Sequence, residues 1–538
     1  MRAMQTWTWT GLLAAALALA ALVAGVSWGA LVAGGSDSYG YVSQAGLWQR
    51  GSLVVEEDVI RPSPWPLAEN TWTPLGYRPS PRIRGAIVPV YAPGLPLLMA
   101  LFQMIAGYCG AFLVVPLSGA LTIWCTYVLG RRVFAAPGVA LWGAALVATS
   151  PVFLYQLMNA MSDVPATAAW TLALVLVVMR RPLAGGLASS VAIAIRPNLL
   201  PLSALLLVWV ALSADHGARN IRRALWRACG YGLCLVPAVA GIAWLNAHLY
   251  ENAWTSGYGT TSDYYALSFL TINARQFATW MADVETPLVA LGGLYFVAPR
   301  LFPEARVPHP RLLLGGTITV VALSYLFYLP FDVWWYLRFL LPMWPVMMLL
   351  TAAALDVIAR RWLRPVYPAA MALFVALLAG HGLYVAVTRY AFALGRAERR
   401  YVDVARFIAN YTEPDAVIFS VQHSGSLRVY AGRLTLKYDV LDPEWLDRSV
   451  AYLQSIGRRP YFVLDGGEAD AFTQRFAAAS PLGKLDWPPL ATLGNVVAIY
   501  DPLDRRPGSK PMSIPRTSRP RDWICDPPQN WPPVLRMK

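Results

Sequence analysis

Long apolar runs separated by short arginine clusters constrain this chain more than any other feature. Runs at residues 9 to 33, 110 to 130, 137 to 156, 164 to 180, 228 to 248, 312 to 330, 339 to 358 and 366 to 388 approach or exceed the roughly 20 apolar residues that carry a helix across a bilayer, and a shorter run covers 286 to 299. The makeup agrees, with 57% hydrophobic and only 14% charged residues, together with 22 Trp and 26 Tyr. These are the proportions of a multi-pass membrane protein and not of a soluble domain. The net charge of +14 would suggest nucleic acid in a soluble chain. Here the arginines fall between apolar spans, so the charge reports topology and no nucleic-acid partner is expected.

Lys and Arg accumulate in short cytoplasmic loops, which orients the spans. With the N-terminus cytoplasmic, Arg131-Arg132, Arg180-Arg181, Arg219/Arg222/Arg223/Arg227, Arg300/Arg306/Arg311 and Arg360/Arg361/Arg364 all fall inside on two conditions. The stretch 183 to 213, interrupted by Arg196-Pro197-Asn198, forms two short helices, and 95 to 106 lies in the interface without crossing. The expected result is about eleven spans, with Asp37, Asp163, the loop 249 to 283, Arg338 and everything beyond 389 outside. The first run reads as a retained helix, since it is long, lacks a convincing Ala-x-Ala cleavage site and has only Arg2 before it. Cys109, Cys125 and Cys234 sit inside apolar runs, Cys229 opens one and Cys525 stands alone, a spacing that suggests neither a disulfide framework nor a CxxC metal site.

Beyond Arg389 the pattern becomes that of a soluble α/β domain. Val417-Ile418-Phe419, Tyr461-Phe462-Val463-Leu464 and Val496-Val497-Ala498-Ile499-Tyr500 read as strands, and Glu444 to Leu453 and Glu468 to Ala477 as helices. Three parts are expected: a membrane domain 1 to 390 with a first outer loop 34 to 94, an extracytoplasmic α/β domain 391 to 504, and a Pro/Arg-rich tail 505 to 538. The tail carries Asp526-Pro527-Pro528 and Trp531-Pro532-Pro533 and is expected to be disordered or draped over the domain.

Several short motifs stand at span ends. Ser36-Asp37-Ser38-Tyr39-Gly40-Tyr41 follows the first span, Tyr91-Ala92-Pro93-Gly94-Leu95-Pro96 precedes the interfacial helix, and Ser150-Pro151 closes the third span. Met161-Ser162-Asp163-Val164-Pro165 opens the fourth, Arg196-Pro197 joins the short helix pair, and Arg338-Phe339-Leu340-Leu341-Pro342 opens the tenth. In order and common sidedness this set resembles the GT-C class of membrane glycosyltransferases, which includes the protein O-mannosyltransferases, the lipid A aminoarabinose transferase and the lipopolysaccharide-core galacturonosyltransferases. The mannosyltransferases carry an Asp-Glu pair in the first loop, whereas Asp37 is followed by Ser38, which argues against protein O-mannosylation.

The resemblance implies a polytopic α-helical GT-C-like fold in a bacterial inner membrane. The implied reaction is inverting transfer of a sugar from a polyprenyl-phosphate donor to a lipid, glycan or protein acceptor on the outer face. Such chemistry needs a base at the acceptor hydroxyl and cations on the leaving phosphate. Asp37 is the candidate base and Asp163 the second catalytic carboxylate. Arg338 and Arg196 are candidate phosphate contacts, and Tyr39, Tyr41 and Tyr91 candidate substrate contacts. No metal and no cofactor beyond the lipid-linked sugar is assigned. Each residue also has a plainer reading: a turn or cap for Asp37, an N-cap for Asp163, and a cation snorkelling among Trp334, Trp335 and Tyr336 for Arg338. Glu56, Glu57 and Asp58 read as a solvated face, and His248, Glu251, Tyr258 and Asp263 as candidate lining of an acceptor entrance. The competing function is a transporter or lipid flippase, which would place ionisable groups near mid-membrane.

Overall fold

The computed structural model describes residues 2–213, 218–303, 305–516 and 525. The Pro-rich motifs at 526 to 533 and the side chain of Arg219 lie outside the described residues. The fold is polytopic and mostly helical, with a mixed β-sheet domain after it. Among the described residues five helices are long and apolar enough to cross a membrane, namely Trp9–Trp28, Gly110–Val133, Ile221–Leu249, Trp334–Trp362 and Arg364–Thr388. A sixth is added if the pair Pro137–Thr149 and Pro151–Leu157, bent by 59°, counts as one. This corrects the expectation of about eleven full-length spans.

Proline is the physical reason for the shortfall. The other apolar helices, Gly94–Ala106, Asp163–Val178, Pro182–Ile195, Pro197–Leu212, Pro287–Val297 and Pro310–Leu326, have 10–17 residues, and four of them begin at a proline. Proline lacks the N–H that a helix interior needs and pushes the residue before it out of the helical region. Apolar runs therefore remain continuous in sequence while the helices they form are cut short. The run 286 to 299 is mostly 3-10 turn, Pro287–Gly293, followed by a single helical turn, Leu294–Val297. The stretch 183 to 213 forms two helices, Pro182–Ile195 and Leu200–Leu212, which meet at Arg196.

A compact segment follows the first span, and is the loop expected to lie outside. The helix Asp37–Arg50 leads into strands β1 (Val55–Glu56), β2 (Tyr77–Pro79) and β3 (Ala86–Pro89), which form an antiparallel sheet in the order β1-β3-β2. Strands β4 (Val417–Phe419), β5 (Leu434–Leu436), β6 (Pro460–Asp465), β7 (Ala491–Leu493), β8 (Val497–Tyr500) and β9 (Met512–Ser513) make the second sheet, ordered β5-β4-β6-β8-β7-β9. β4 runs parallel to β5 and β6, and β8 antiparallel to β6 and β7. β6 is buried along its whole length, because helices cover both faces of the sheet. Val404, Ile408, Ile418 and Val463 pack on one face, and Phe419, Phe462, Phe472 and Phe476 on the other. Met512–Ser513 pairs with β7, so the sheet extends past the expected boundary at 504.

The second core also takes in Tyr39, Trp65, Trp72, Tyr77 and Ile87 of the outer segment, so the sheet domain and the first loop share one apolar interior. Glu57 is not a solvated residue: it forms an ion pair with Arg428, with each side chain 12% exposed. Arg428 Nη2 also donates to the Trp72 carbonyl at 2.6 Å, Lys437 N–H to the Thr71 carbonyl at 2.7 Å, and Ala33 N–H to the Tyr430 hydroxyl at 2.8 Å.

The bend at Ser150 generates a test. Ser150 is forced extended ahead of Pro151, and its hydroxyl accepts from Phe153 N–H at 3.2 Å and from Trp344 Nε1–H at 3.0 Å while donating to the buried Glu285. Ser150→Ala leaves these groups short of a partner and is expected to cost about 1–3 kcal/mol. The readout is the thermal unfolding midpoint in detergent; an unchanged midpoint would mean that Pro151 alone holds the bend.

Candidate functional site

Asp37, Asp163, Arg196 and Arg338 come from distant parts of the chain and meet at one end of the helical bundle. After the first span the chain turns at Gly35, whose φ of +58° suits glycine, and Asp37 opens the helix Asp37–Arg50. Residues 37 and 41 lie one turn apart on the same helix face, whereas 39 points nearly the opposite way. Asp37 and Tyr41 accordingly face the cluster. Tyr39 does not: its ring packs against Gly425 and, at 5.7 Å between centroids, against Tyr77, so this expected substrate contact belongs to the core shared with the sheet domain.

Tyr91 reaches Asp37 because position 40 carries no side chain. A Cβ on Gly40 would fall 2.1 Å from Tyr91 Cε2. The Tyr91 hydroxyl donates to Asp37 Oδ1 at 2.7 Å and accepts from Ser36 Oγ at 3.0 Å. Burial, followed by the Asp37 charge, pushes the Tyr91 and Tyr41 hydroxyls above their usual range, so both remain protonated donors.

Asp163 occupies the first turn of Asp163–Val178, where the helix dipole favours a carboxylate. Its side chain does not cap the helix, contrary to the plain expectation; Ser162 holds the cap position, and the Asp163 carboxylate turns to Arg196 instead. Arg196 ends Pro182–Ile195 and pairs through Nη2 with Asp163 Oδ1, while its Nε donates to Ser162 Oγ at 3.2 Å and Nη1 to the Tyr325 hydroxyl at 3.3 Å. Tyr41 donates to the same Ser162 Oγ at 3.0 Å, which ties the Asp37 helix to the Arg196 break.

Arg338 lies in the 3-10 segment Trp334–Met343. Its Nη1 is 3.1 Å from Asp37 Oδ2 and 4.0 Å from Asp163 Oδ2, so it bridges the two carboxylates. The guanidinium also stands over the rings of Tyr336 and Phe339, 5.1 and 5.3 Å from their centroids. Its Nε is buried without a hydrogen-bond partner, as is Asp163 Oδ2. Exposure grades outward: the side chain of Asp163 is 2% exposed, Arg196 10%, Arg338 14% and Asp37 26%. Asp37 and Arg338 are thus the pair open to an incoming molecule, and Arg196 is the inner member, already fully engaged.

Sequence reasoning missed Tyr325 and gave no site role to Tyr336, Phe339, Ser36 and Ser162, although the last three each stand beside a residue it did single out. Of the large outer loop, Tyr258 reaches the site, its ring edge-on to Tyr91 at 5.8 Å. Asp263 caps its own turn through Thr260, and His248 stacks on Trp244. Among the described residues no group of three or more His, Cys, Asp and Glu could hold a metal ion.

No family profile and no curated protein matches the chain. Among solved structures it is similar to ArnT from Cupriavidus metallidurans bound to undecaprenyl phosphate, with a TM-score of 0.57 and 14% identity, covering 92% of this chain and 98% of that one. The two chains share a fold over nearly their whole lengths. The apo state of the same protein gives a TM-score of 0.52 at 14% identity over the same shares. The apo oligosaccharyltransferase of Archaeoglobus fulgidus gives 0.45 at 12% identity, covering 92% of this chain and 75% of that one. At such identities the likeness is one of fold.

The inner pair makes a stability prediction. Arg196→Ala strands a nearly fully buried carboxylate and is expected to cost about 3–5 kcal/mol. Arg196→Ala combined with Asp163→Ala removes both charges and should recover part of that loss. Unfolding midpoints of the two single variants and the double variant in detergent measure the coupling; strict additivity would rule out the pair as a stabilising unit.

Proposed function

We propose that the protein is an inverting glycosyltransferase that moves a sugar from a polyprenyl-phosphate donor to a hydroxyl of a lipid, glycan or protein acceptor. The observation that carries this reading is the partly exposed Asp37 carboxylate held on Arg338, whose buried Nε still lacks a partner. The fold likeness to a protein solved with undecaprenyl phosphate supports the choice of donor class. The arginine clusters at the opposite span ends support an outer-face site, with the N-terminus cytoplasmic, in a bacterial plasma membrane.

The acceptor hydroxyl attacks the anomeric carbon from the face opposite the phosphate. Its proton passes to Asp37 as the bond between carbon and phosphate oxygen breaks, and polyprenyl phosphate leaves with one added negative charge. Arg338 answers that charge through its guanidinium, with Arg196 behind it. In the resting arrangement Arg338 and Tyr91 occupy both Asp37 oxygens. A donor phosphate competes for Arg338 and releases one Asp37 oxygen for the acceptor proton. Tyr91 and Tyr41 stay protonated and orient the carboxylate and Ser162.

Two measurements test the reading with purified protein and a panel of radiolabelled polyprenyl-phosphate sugars. Asp37→Asn keeps the shape but removes the base and is expected to lower turnover by a factor of about 100 to 10,000. Full turnover by the asparagine variant would remove Asp37 from that role, and passage of a lipid probe across proteoliposomes without sugar transfer would assign the protein to transport. Arg338→Ala is expected to release polyprenyl phosphate faster, as read by product retention on the immobilised protein. Equal retention would take Arg338 out of the phosphate contact.

A further inference from the structure

The two helices that bring Asp163 and Arg196 to the site carry a different feature at their other ends. Asp163–Val178 and Pro182–Ile195 are joined by Arg180-Arg181, and a helix of that length places this joint about 20 Å from Arg196. Beside the joint lies a cavity of about 440 Å³ whose lining includes Arg181, Leu183, Arg223, Trp226 and Arg227. A second cavity of about 60 Å³ shares Pro182 and Arg227 with it and adds Arg180 and Arg306.

The wall opposite the joint comes from the helix Ala218–Leu233, whose character explains the cavity. Ala224, Ala228 and Tyr231 recur at helical spacing and are buried, with the Tyr231 hydroxyl hydrogen-bonded to Ser189 at 2.7 Å, so this face packs on Pro182–Ile195. Turned away from that contact are Ile221, Leu225 and Trp226, which are 63%, 58% and 68% exposed. Arg222, Arg223 and Arg227 stand among them. The same few turns therefore present bare apolar surface and concentrated positive charge. Arg181, Arg223 and Arg227 form no ion pair among the described residues.

Both properties bear on what fits. Three arginines that border one cavity and form no ion pair among the described residues call for an anion, and phosphate suits their forked donors. A small soluble phosphate would leave the leucine and tryptophan surfaces bare, and a zwitterionic lipid would carry its own cation into the arginines. We infer that this cavity is a binding site for an anionic glycerophospholipid, its phosphodiester held at the rim by Arg181, Arg223 and Arg227 and its acyl chains lying along Leu183 and Trp226. The site is separate from the Asp37 cluster, and its occupancy does not depend on the reaction proposed above.

The test uses the full-length protein, purified in detergent and offered equimolar phosphatidylglycerol and phosphatidylcholine with the same acyl chains, with bound lipid counted by native mass spectrometry. Wild type is expected to retain the anionic lipid over the zwitterionic one by roughly tenfold or more, and each arginine replaced by glutamine should reduce that preference about fivefold. Equal retention of the two lipids by wild type would overturn the inference without any variant having to fold. So would an undiminished preference in the Arg181→Gln, Arg223→Gln, Arg227→Gln triple variant. A third arm adds inorganic phosphate: failure to displace phosphatidylglycerol is expected, and efficient displacement would make this a soluble-anion site instead.

Discussion

A guanidinium and a carboxylate buried together at the end of a membrane bundle cannot stand alone, and the pairing of Arg196 with Asp163 is the constraint around which the rest is arranged. An unpaired charge at either position would carry a desolvation cost of several kcal/mol. The pair therefore pins the end of Pro182–Ile195 to the start of Asp163–Val178. Ser162 extends the lock by accepting from both Arg196 and Tyr41, which draws in the helix that begins at Asp37. Arg338 then completes a chain of alternating charge, from Arg196 through Asp163 and Arg338 to Asp37. Only the outer end of that chain is open to solvent, so the interaction that stabilises the bundle also sets which carboxylate and which cation can meet a substrate.

The sheet domain is fixed to this arrangement. Its core continues into the outer segment through Trp65, Trp72 and Tyr77, and the Arg428–Glu57 ion pair seals the junction. Close to the Asp37 turn, Tyr401 packs on Gly34, and Tyr401 also lies against His423, 4.6 Å between ring centroids. Burial holds the His423 imidazole below its usual range and so neutral. Burial alone would raise the Asp465 carboxyl, but the His423 imidazole 3.3 Å away and the Arg400 guanidinium bonded to it outweigh burial and hold Asp465 below its usual range. The first loop is thereby held from above by the sheet domain and from below by the helix ends, which limits how far Asp37 can move.

Much of this was legible from residue order. The apolar runs, the shift to a soluble pattern after Arg389, the strands β4, β6 and β8, and the break at Arg196 all follow from local composition and from proline. Asp37, Asp163, Arg196 and Arg338 stood out because charge beside a greasy run needs a reason. The errors were equally physical. Apolar length counts residues, whereas helix length depends on where prolines interrupt hydrogen bonding, so runs such as 137 to 156 became bent or shortened helices. Tyr39 was grouped with Tyr41 by proximity in sequence, yet helical geometry turns adjacent odd positions to opposite faces. Glu57 looked solvated because its partner, Arg428, lies several hundred residues away.

The sequence by itself determined that this chain enters a membrane, where its helices break, and which few charges sit at their ends, since transfer free energy and proline sterics are local properties. Tertiary structure decided which of those charges meet. Pairing at 3.1 Å between Asp37 and Arg338, and the division of labour between an engaged Arg196 and an open Arg338, depend on how helix ends pack across hundreds of residues. Electrostatic attraction falls off with distance and rises with burial, and both are set only when the bundle closes.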